Sequence, residues 1–213
     1  MVKLDIFSDP ICPWCLIGKA KLDAALAQRP DHPFTVVWHP FQLNPEMPAE
    51  GMDRRTYLDT KFGSHAEAVA VYGRIDAAAR DAGLTLNLDG ITRTPNTRNA
   101  HRLILWAEME GAQGAVMNAL FDAYFKEGRD ISDLDTLADI ADISGLEAAL
   151  VRRLLASDAD IKEVVDRDAT ARAMGLSSVP TFIVAGQHAV PGAQPTELWI
   201  QVIDELTGAA PPA

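Results

Sequence analysis

Leu4-Asp5-Ile6-Phe7-Ser8-Asp9-Pro10-Ile11-Cys12-Pro13-Trp14-Cys15 leads from an apolar, strand-like tetrapeptide through a short break into the only two cysteines of the 213-residue chain. Their spacing places them one helical turn apart. Pro13 suits the first position of a helix, because its missing N–H would have had no intrahelical partner there. Cysteines used once, as a pair, at a strand-to-helix junction point to a redox dithiol. In such a pair one sulfur attacks a disulfide and the other resolves the mixed disulfide that forms. The unpaired N–H groups and macrodipole of a helix N-terminus favour negative charge. Cys12 is therefore expected to attack, and Cys15, one turn further in and more buried, to resolve. Trp14 is expected to stand exposed beside Cys12 as a flat apolar contact.

Outward from this pair, a helix is predicted over 13–28 with Leu16, Ile17, Leu22 and Leu26 as its apolar stripe, ended by Pro30 and Pro33. Phe34-Thr35-Val36-Val37-Trp38 is β-branched and aromatic and reads as a second strand. A crossover of this kind implies parallel strands and a right-handed connection. The chain then turns helical, with segments predicted near 53–62, 65–82, 96–110, 113–126, 133–142 and 145–156. Ser64 to Glu67, Ser132 to Asp135 and Ser144 to Glu147 fit the hydroxyl-then-acid pattern of a capped start. Thr94-Pro95 fits an N-cap followed by proline. Ser157-Asp158-Ala159-Asp160 is expected to cap one more helix, ending near Gly175.

β structure returns after Val179-Pro180 with Thr181-Phe182-Ile183-Val184-Ala185, a turn at Gly186-Gln187, and His188-Ala189-Val190. A last helix is expected over 195–206 and a fraying tail over 209–213. The expected organisation is an α/β protein: a discontinuous domain of residues 1–50 and 157–208, an all-helical insertion over 51–156, and the flexible tail 209–213.

Hydrophobic content of 48% and charged content of 23% are ordinary for a globular protein, and a net charge of −11 argues against nucleic acid and anionic membranes as partners. Met1 leads straight into a strand without a leader pattern, and no run reaches the roughly 18 apolar residues of a membrane span. A cytoplasmic location is the expectation. Thiols there are mostly kept reduced, which favours a catalytic, redox-sensing or metal-binding pair over a structural staple. Zinc would need two further ligands, and the histidines at 32, 39, 65, 101 and 188 show no paired spacing, so no metal is expected. An inert, packed cysteine pair is the plain alternative.

The whole pattern resembles the DsbA-like branch of the thioredoxin superfamily: Cys-Pro-Trp-Cys after a short strand, a helical insertion, then Ser178-Val179-Pro180-Thr181 before a strand. Four segments narrow the likeness to the FrnE-type subgroup. They are Ser8 to Cys15, His39-Pro40-Phe41-Gln42-Leu43-Asn44-Pro45, Asn99-Ala100-His101-Arg102-Leu103, and Val190-Pro191-Gly192-Ala193-Gln194-Pro195. The resemblance implies a thioredoxin-like fold with a large all-helical insertion. It also implies a cis Val179–Pro180 bond facing the dithiol, with the Val179 backbone open to an extended substrate. Family members often carry a buried acid six residues before the first cysteine. That offset gives Ile6 here, or Asp5 if the loop is one residue longer, in which case Asp5 would shuttle a proton to Cys15. DsbA-type oxidants usually hold histidine at the position of Trp14, so a less oxidising couple is expected, nearer a cytosolic reductant or isomerase.

The expected function is a thiol–disulfide oxidoreductase that reduces, forms or isomerises disulfides. Its supporting residues would be Pro13, Trp14, Val179, Pro180 and Asp5, with Asn99, His101 and Gln194 as candidate substrate contacts. No cofactor is expected beyond the Cys12–Cys15 pair, with glutathione a possible co-substrate. The partners would be a protein or small molecule bearing a disulfide or thiol, and a cellular thiol reductant. Two alternatives come with the resemblance. One is a glutathione-dependent isomerase or transferase of a small aromatic compound, as in 2-hydroxychromene-2-carboxylate isomerase and the kappa-class transferases, where serine usually stands in place of Cys12. The other is a non-enzymatic redox sensor.

Overall fold

In the computed structural model, which describes residues 1–208, β1 (Val2–Ser8) lies inside a four-stranded sheet ordered β2-β1-β5-β6. β2 (Phe34–Pro40) runs parallel to β1, from Val2 opposite Phe34 to Ser8 opposite Pro40. β5 (Thr181–Val184) and β6 (His188–Pro191) complete the sheet in antiparallel pairings. The connection from β1 to β2 is α1 (Pro13–Gln28), the crossover helix that a parallel pair requires.

The period-two alternation of β1 sorts its side chains between two faces. Ile6 pairs with Phe182, and Phe182 packs edge-on against Trp199 at 4.7 Å between ring centroids. Trp199 belongs to α9 (Thr196–Thr207), which packs on α1, so these two helices cover the Ile6 and Phe182 face. Phe182 and Trp199 are fully buried, each worth about 1.5–3 kcal/mol relative to exposure. Asp5 and Phe7 point the other way, toward Thr170, Ala171 and Met174 at the end of α8 (Ile161–Ala173).

Between β2 and β5 the chain is helical: α2 (Arg54–Phe62), α3 (His65–Asp81), α4 (Arg98–Met109), α5 (Gln113–Phe125), α6 (Leu134–Ile143), α7 (Ala148–Leu155) and α8. A ribbon the sequence reading missed, β3 (Met52–Asp53) with β4 (Arg93–Thr94), ties the start of α2 to the segment before α4. Two residues per strand leave too little alternation for a strand pattern.

Several helix starts differ from expectation. Ser64 does cap α3, accepting from Glu67 N–H at 3.2 Å. For α6, however, Asp133 rather than Ser132 accepts from Thr136 N–H, while the Ser132 hydroxyl is turned back to donate to Asp130 at 2.6 Å. Ser144 closes α6 instead of opening α7, and Thr94 lies in β4, leaving Thr97 before α4. Ser157 caps nothing ahead of α8, which begins after Asp160 in a left-handed conformation, φ 57°. The β5–β6 turn sits one residue earlier than expected: Ala185 and Gly186 both have positive φ, and Gln187 N–H closes onto Val184 O at 3.0 Å. That is the turn geometry whose twist suits a hairpin. The fraying expected of 209–213 lies outside the described residues.

Candidate active site

At the end of β1 the chain leaves the sheet through Asp9-Pro10-Ile11 and enters α1 at Cys12, the N-cap residue, with φ −87° and ψ 113°. The peptide of Cys12 closes the loop in both directions. Its N–H donates to Asp9 O at 2.9 Å, and its carbonyl accepts from Cys15 N–H at 3.0 Å and Leu16 N–H at 3.3 Å. A serine or aspartate at this position would turn its side chain onto the helix N–H groups. The Cys12 side chain makes no such cap and instead donates to Val179 O at 3.7 Å.

Both cysteines are free thiols, and both are buried, with exposures of 4% for Cys12 and 1% for Cys15. The attacking candidate is thus almost as covered as its partner, while Trp14 beside it is 40% exposed. Burial pushes the Cys15 thiol well above the ordinary cysteine range, and the adjacent Cys12 sulfur adds to the shift. The neighbouring Ser8 hydroxyl and the Asp9 peptide oppose it more weakly. That hydroxyl is buried and otherwise unpartnered among the described residues. Two thiols in mutual contact can close to a disulfide with loss of two electrons and two protons.

The loop that faces them is fixed from three sides. Val179–Pro180 is a cis bond, Pro180 O accepts from Gly192 N–H at 2.7 Å, and the Thr181 hydroxyl donates to Ser178 O at 2.8 Å. From α1, Gly18 comes so close that a β-carbon there would lie 3.0 Å from Pro180 Cγ and 3.3 Å from Ala193 Cα. Glycine at 18 is what lets α1 and this loop meet.

Asp5 lies elsewhere, and this corrects the expected proton shuttle. Its carboxylate, on the α8 side of the sheet, bonds Lys3 at 2.6 Å and His39 at 2.5 Å. Burial pushes its pKa up, but those two partners outweigh burial and hold it below the usual value. A carboxylate so engaged is a poor proton acceptor, and Ser8, not Asp5, is the β1 side chain beside Cys15.

The buried acid of this loop is Asp9, which sequence reasoning passed over. It is 0% exposed, and its carboxylate accepts from Ile11 N–H at 3.2 Å, Leu43 N–H at 2.7 Å and the Thr97 hydroxyl at 3.5 Å. Burial raises its pKa to about 7, with the Leu43 and Ile11 bonds opposing. The sequence did carry a signal: an aspartate two residues before an N–H donor, in Asp-Pro-Ile, is a local Asx-turn pattern. The 41–43 segment that reaches Asp9 is itself clasped. Phe41 N–H donates to Ser8 O at 3.2 Å, Gln42 N–H donates to Asp168 at 2.7 Å, and Arg172 pairs with Asp168 at 2.8 Å while stacking on Phe41.

Known proteins resemble this chain along its length. A family model described as the DSBA-like thioredoxin domain matches residues 3–203. The chain belongs to that family. It is 31% identical to a probable DsbA oxidoreductase from Streptomyces coelicolor, whose crystal structure superposes with a TM-score of 0.85 and coverage of 100% of this chain and 93% of that one. YwbO, an uncharacterized protein of Bacillus subtilis, is 26% identical over 207 residues, 96% of each chain. The cytosolic disulfide reductase DsbM from Pseudomonas aeruginosa shares the fold at 17% identity, with a TM-score of 0.68 over 97% of this chain and 99% of that one. Membership and the DsbA neighbour make this DSBA-like chain an oxidoreductase-type protein. Among its described residues no helix is long and apolar enough to cross a membrane, and no three His, Cys, Asp or Glu side chains group as metal ligands would.

Two of the three candidate substrate contacts hydrogen-bond to near neighbours in the chain. Asn99 accepts from Arg102 at 2.8 Å along α4, and Gln194 donates to Pro191 O at 2.6 Å, bracing its own loop. His101 is buried, and burial lowers its pKa to about 4, which Asp168 nearby offsets only slightly.

Proposed function

We propose that the protein is a thiol–disulfide oxidoreductase in which Cys12 attacks and Cys15 resolves. The observation that carries this reading is the unequal setting of the two sulfurs. Cys12 lies against the Val179 carbonyl at the mouth of the loop, and Cys15 is held protonated by burial behind it. Cys12, as thiolate, attacks one sulfur of a substrate disulfide, forming a mixed disulfide and expelling the other sulfur as a thiolate. Cys15 then loses its proton and attacks the Cys12 sulfur, which expels the second substrate thiolate. The substrate gains two electrons and the enzyme becomes the Cys12–Cys15 disulfide. Run backwards, the same steps oxidise a dithiol.

Asp9 takes up the proton that Cys15 releases. Its carboxyl is poised near neutrality, and its peptide bonds both ends of the CPWC turn. Val179, Pro180 and Trp14 present the substrate to Cys12, and Pro13 starts the helix beneath it. With Trp14 where a strong oxidant carries histidine, the couple favours reduction or isomerisation, recycled by a cytoplasmic thiol reductant. The division into residues 1–50 with 157–208 against 51–156 assigns the redox pair to the first unit and the substrate-facing cover to the second. Glutathione can serve as a co-substrate, but a chain with two cysteines resolves its own mixed disulfide.

Turnover of a protein disulfide such as that of insulin, with a dithiol as electron source, tests the reading. The wild type accelerates reduction and Cys12→Ser abolishes the acceleration. Equal rates with and without Cys12 overturn it.

A further inference from the structure

Asp5 and His39, which the redox centre does not use, line a separate pocket of about 390 Å³ on the α8 side of the sheet. That volume falls within the range of roughly 300–1,000 Å³ typical of small-molecule sites. Phe7 and Ile183 from the sheet, with Ala171 and Met174 from the end of α8, form its apolar walls. No residue of the Cys12–Cys15 turn or the Val179–Pro180 loop takes part in the lining.

The polar side chains of this lining offer acceptors. Lys3 and His39 both meet the Asp5 carboxylate at Oδ1, while Oδ2 takes no hydrogen bond from any described residue. Burial works against ionisation of Asp5, but Lys3 and His39 outweigh burial and hold it below the usual carboxyl pKa. A carboxylate can only accept, so His39 Nε2 carries the ring proton, and Nδ1 of the neutral ring is an acceptor with no partner among the described residues. Stacking on Phe7, with ring centroids 4.9 Å apart and planes at 22°, fixes the imidazole in that pose. The Thr170 hydroxyl spends its proton on Asp166 O at 2.8 Å, which leaves it as an acceptor too. Arg167, the cation at the pocket, is already paired with Glu163 at 2.7 Å and Glu108 at 3.2 Å. Lys3 is not part of the lining. Its side chain is 55% exposed, and an ion pair so exposed contributes little, so its ammonium can be displaced from Asp5.

We propose that this pocket binds a small organic cation, a protonated primary amine with an aromatic or branched apolar body. The ammonium takes the place of Lys3 on Asp5 and donates to His39, and the apolar body lies against Phe7, Ile183 and Met174. An ammonium carries donors only, which matches a lining that offers acceptors, and its bonds to a carboxylate are about twice as strong as neutral ones. The net charge of −11 draws cations without choosing among sites, so selectivity has to come from this carboxylate. The proposal is independent of the dithiol reading.

Titration calorimetry of the full-length wild type with phenethylamine tests it, with 2-phenylethanol as the uncharged analogue and 3-phenylpropionate as the anionic one. The amine is expected to bind saturably and about tenfold tighter than the alcohol, the effect of one well-made charged contact. The anion binds more weakly than the alcohol. Asp5→Asn removes the advantage of the amine. Lys3→Gln, at an exposed position, removes the internal competitor and tightens the amine several-fold, a change that loss of folding cannot mimic. Equal binding of amine and alcohol would leave only an apolar crevice and overturn the proposal. So would amine binding that survives Asp5→Asn at full strength, an affinity that Lys3→Gln leaves unchanged or lowers, or no saturable binding at all. Cys12→Ser is expected to bind the amine as the wild type does, and loss of binding there would place the amine at the dithiol and contradict a separate site.

Discussion

The Cys12 thiol donates a hydrogen bond to the Val179 carbonyl across 3.7 Å, joining two residues 167 positions apart. The contact brings together the two segments that the sheet separates, the loop leaving β1 and the loop entering β5. It turns Cys12 toward the loop that carries Pro180, and leaves Cys15 facing Ser8 and the Asp9 peptide.

Asp9 and Asp5 make a matched pair of tests for the proton step. Asp9→Asn is expected to slow closure of the Cys12–Cys15 disulfide and to flatten its pH dependence near pH 7, where the native carboxyl titrates. Asp5→Asn is expected to leave that rate unchanged, since its carboxylate is held by Lys3 and His39. Stopped-flow fluorescence of Trp14 during oxidation follows the step. A slowed Asp5→Asn beside an unaltered Asp9→Asn would reverse the assignment.

Stability should respond to pH through two buried groups acting in opposite directions. The folded pKa of Asp9 is raised from 3.8 to about 7, so the folded state holds a proton that the unfolded chain has released. Its contribution is full below 3.8 and is lost as pH rises through about 7. The pKa of His101 is lowered from 6.5 to about 4, so its contribution is full above 6.5 and is lost as pH falls toward 4. The two slopes oppose each other between about 4 and 6.5. Asp9→Asn should therefore make urea midpoints climb more steeply with pH across that window, and His101→Leu should make them fall.

Gly18 tests the approach of α1 to the Pro180 loop. Alanine at an ordinary helical position gains about 1 kcal/mol over glycine. Here its β-carbon meets Pro180 at 3.0 Å and the Ala193 backbone at 3.3 Å, and such crowding costs about 1–3 kcal/mol. Crowding by a closed proline ring and by the Ala193 backbone, neither of which can swing aside, wins, so Gly18→Ala is expected to lower the urea midpoint and slow turnover together. A stabilised variant would show that the loop gives way freely.

Much of this was legible in the sequence because the signals are local. The Leu4 to Phe7 run, Pro13 at the helix start and the β-branched 34–38 segment specify β1, α1 and β2 from neighbouring residues alone. The hydroxyl-then-acid rule worked at Ser64, where the hydroxyl was free to cap, and failed at Ser132, whose hydroxyl bonds back to Asp130. The site residues divided the same way. The dithiol follows from spacing, whereas Asp9 is enclosed only when the segments carrying Leu43 and Thr97 fold onto it, contacts that span 34 and 88 positions.

Mass spectrometry of the two single-cysteine variants after exposure to a model disulfide tests the central claim most directly. Cys15→Ser should accumulate a stable mixed disulfide on Cys12, while Cys12→Ser should stay unmodified in the folded state, because its remaining thiol is buried and held protonated. Equal or faster modification of Cys15 in the Cys12→Ser protein would contradict the unequal roles on which the account rests.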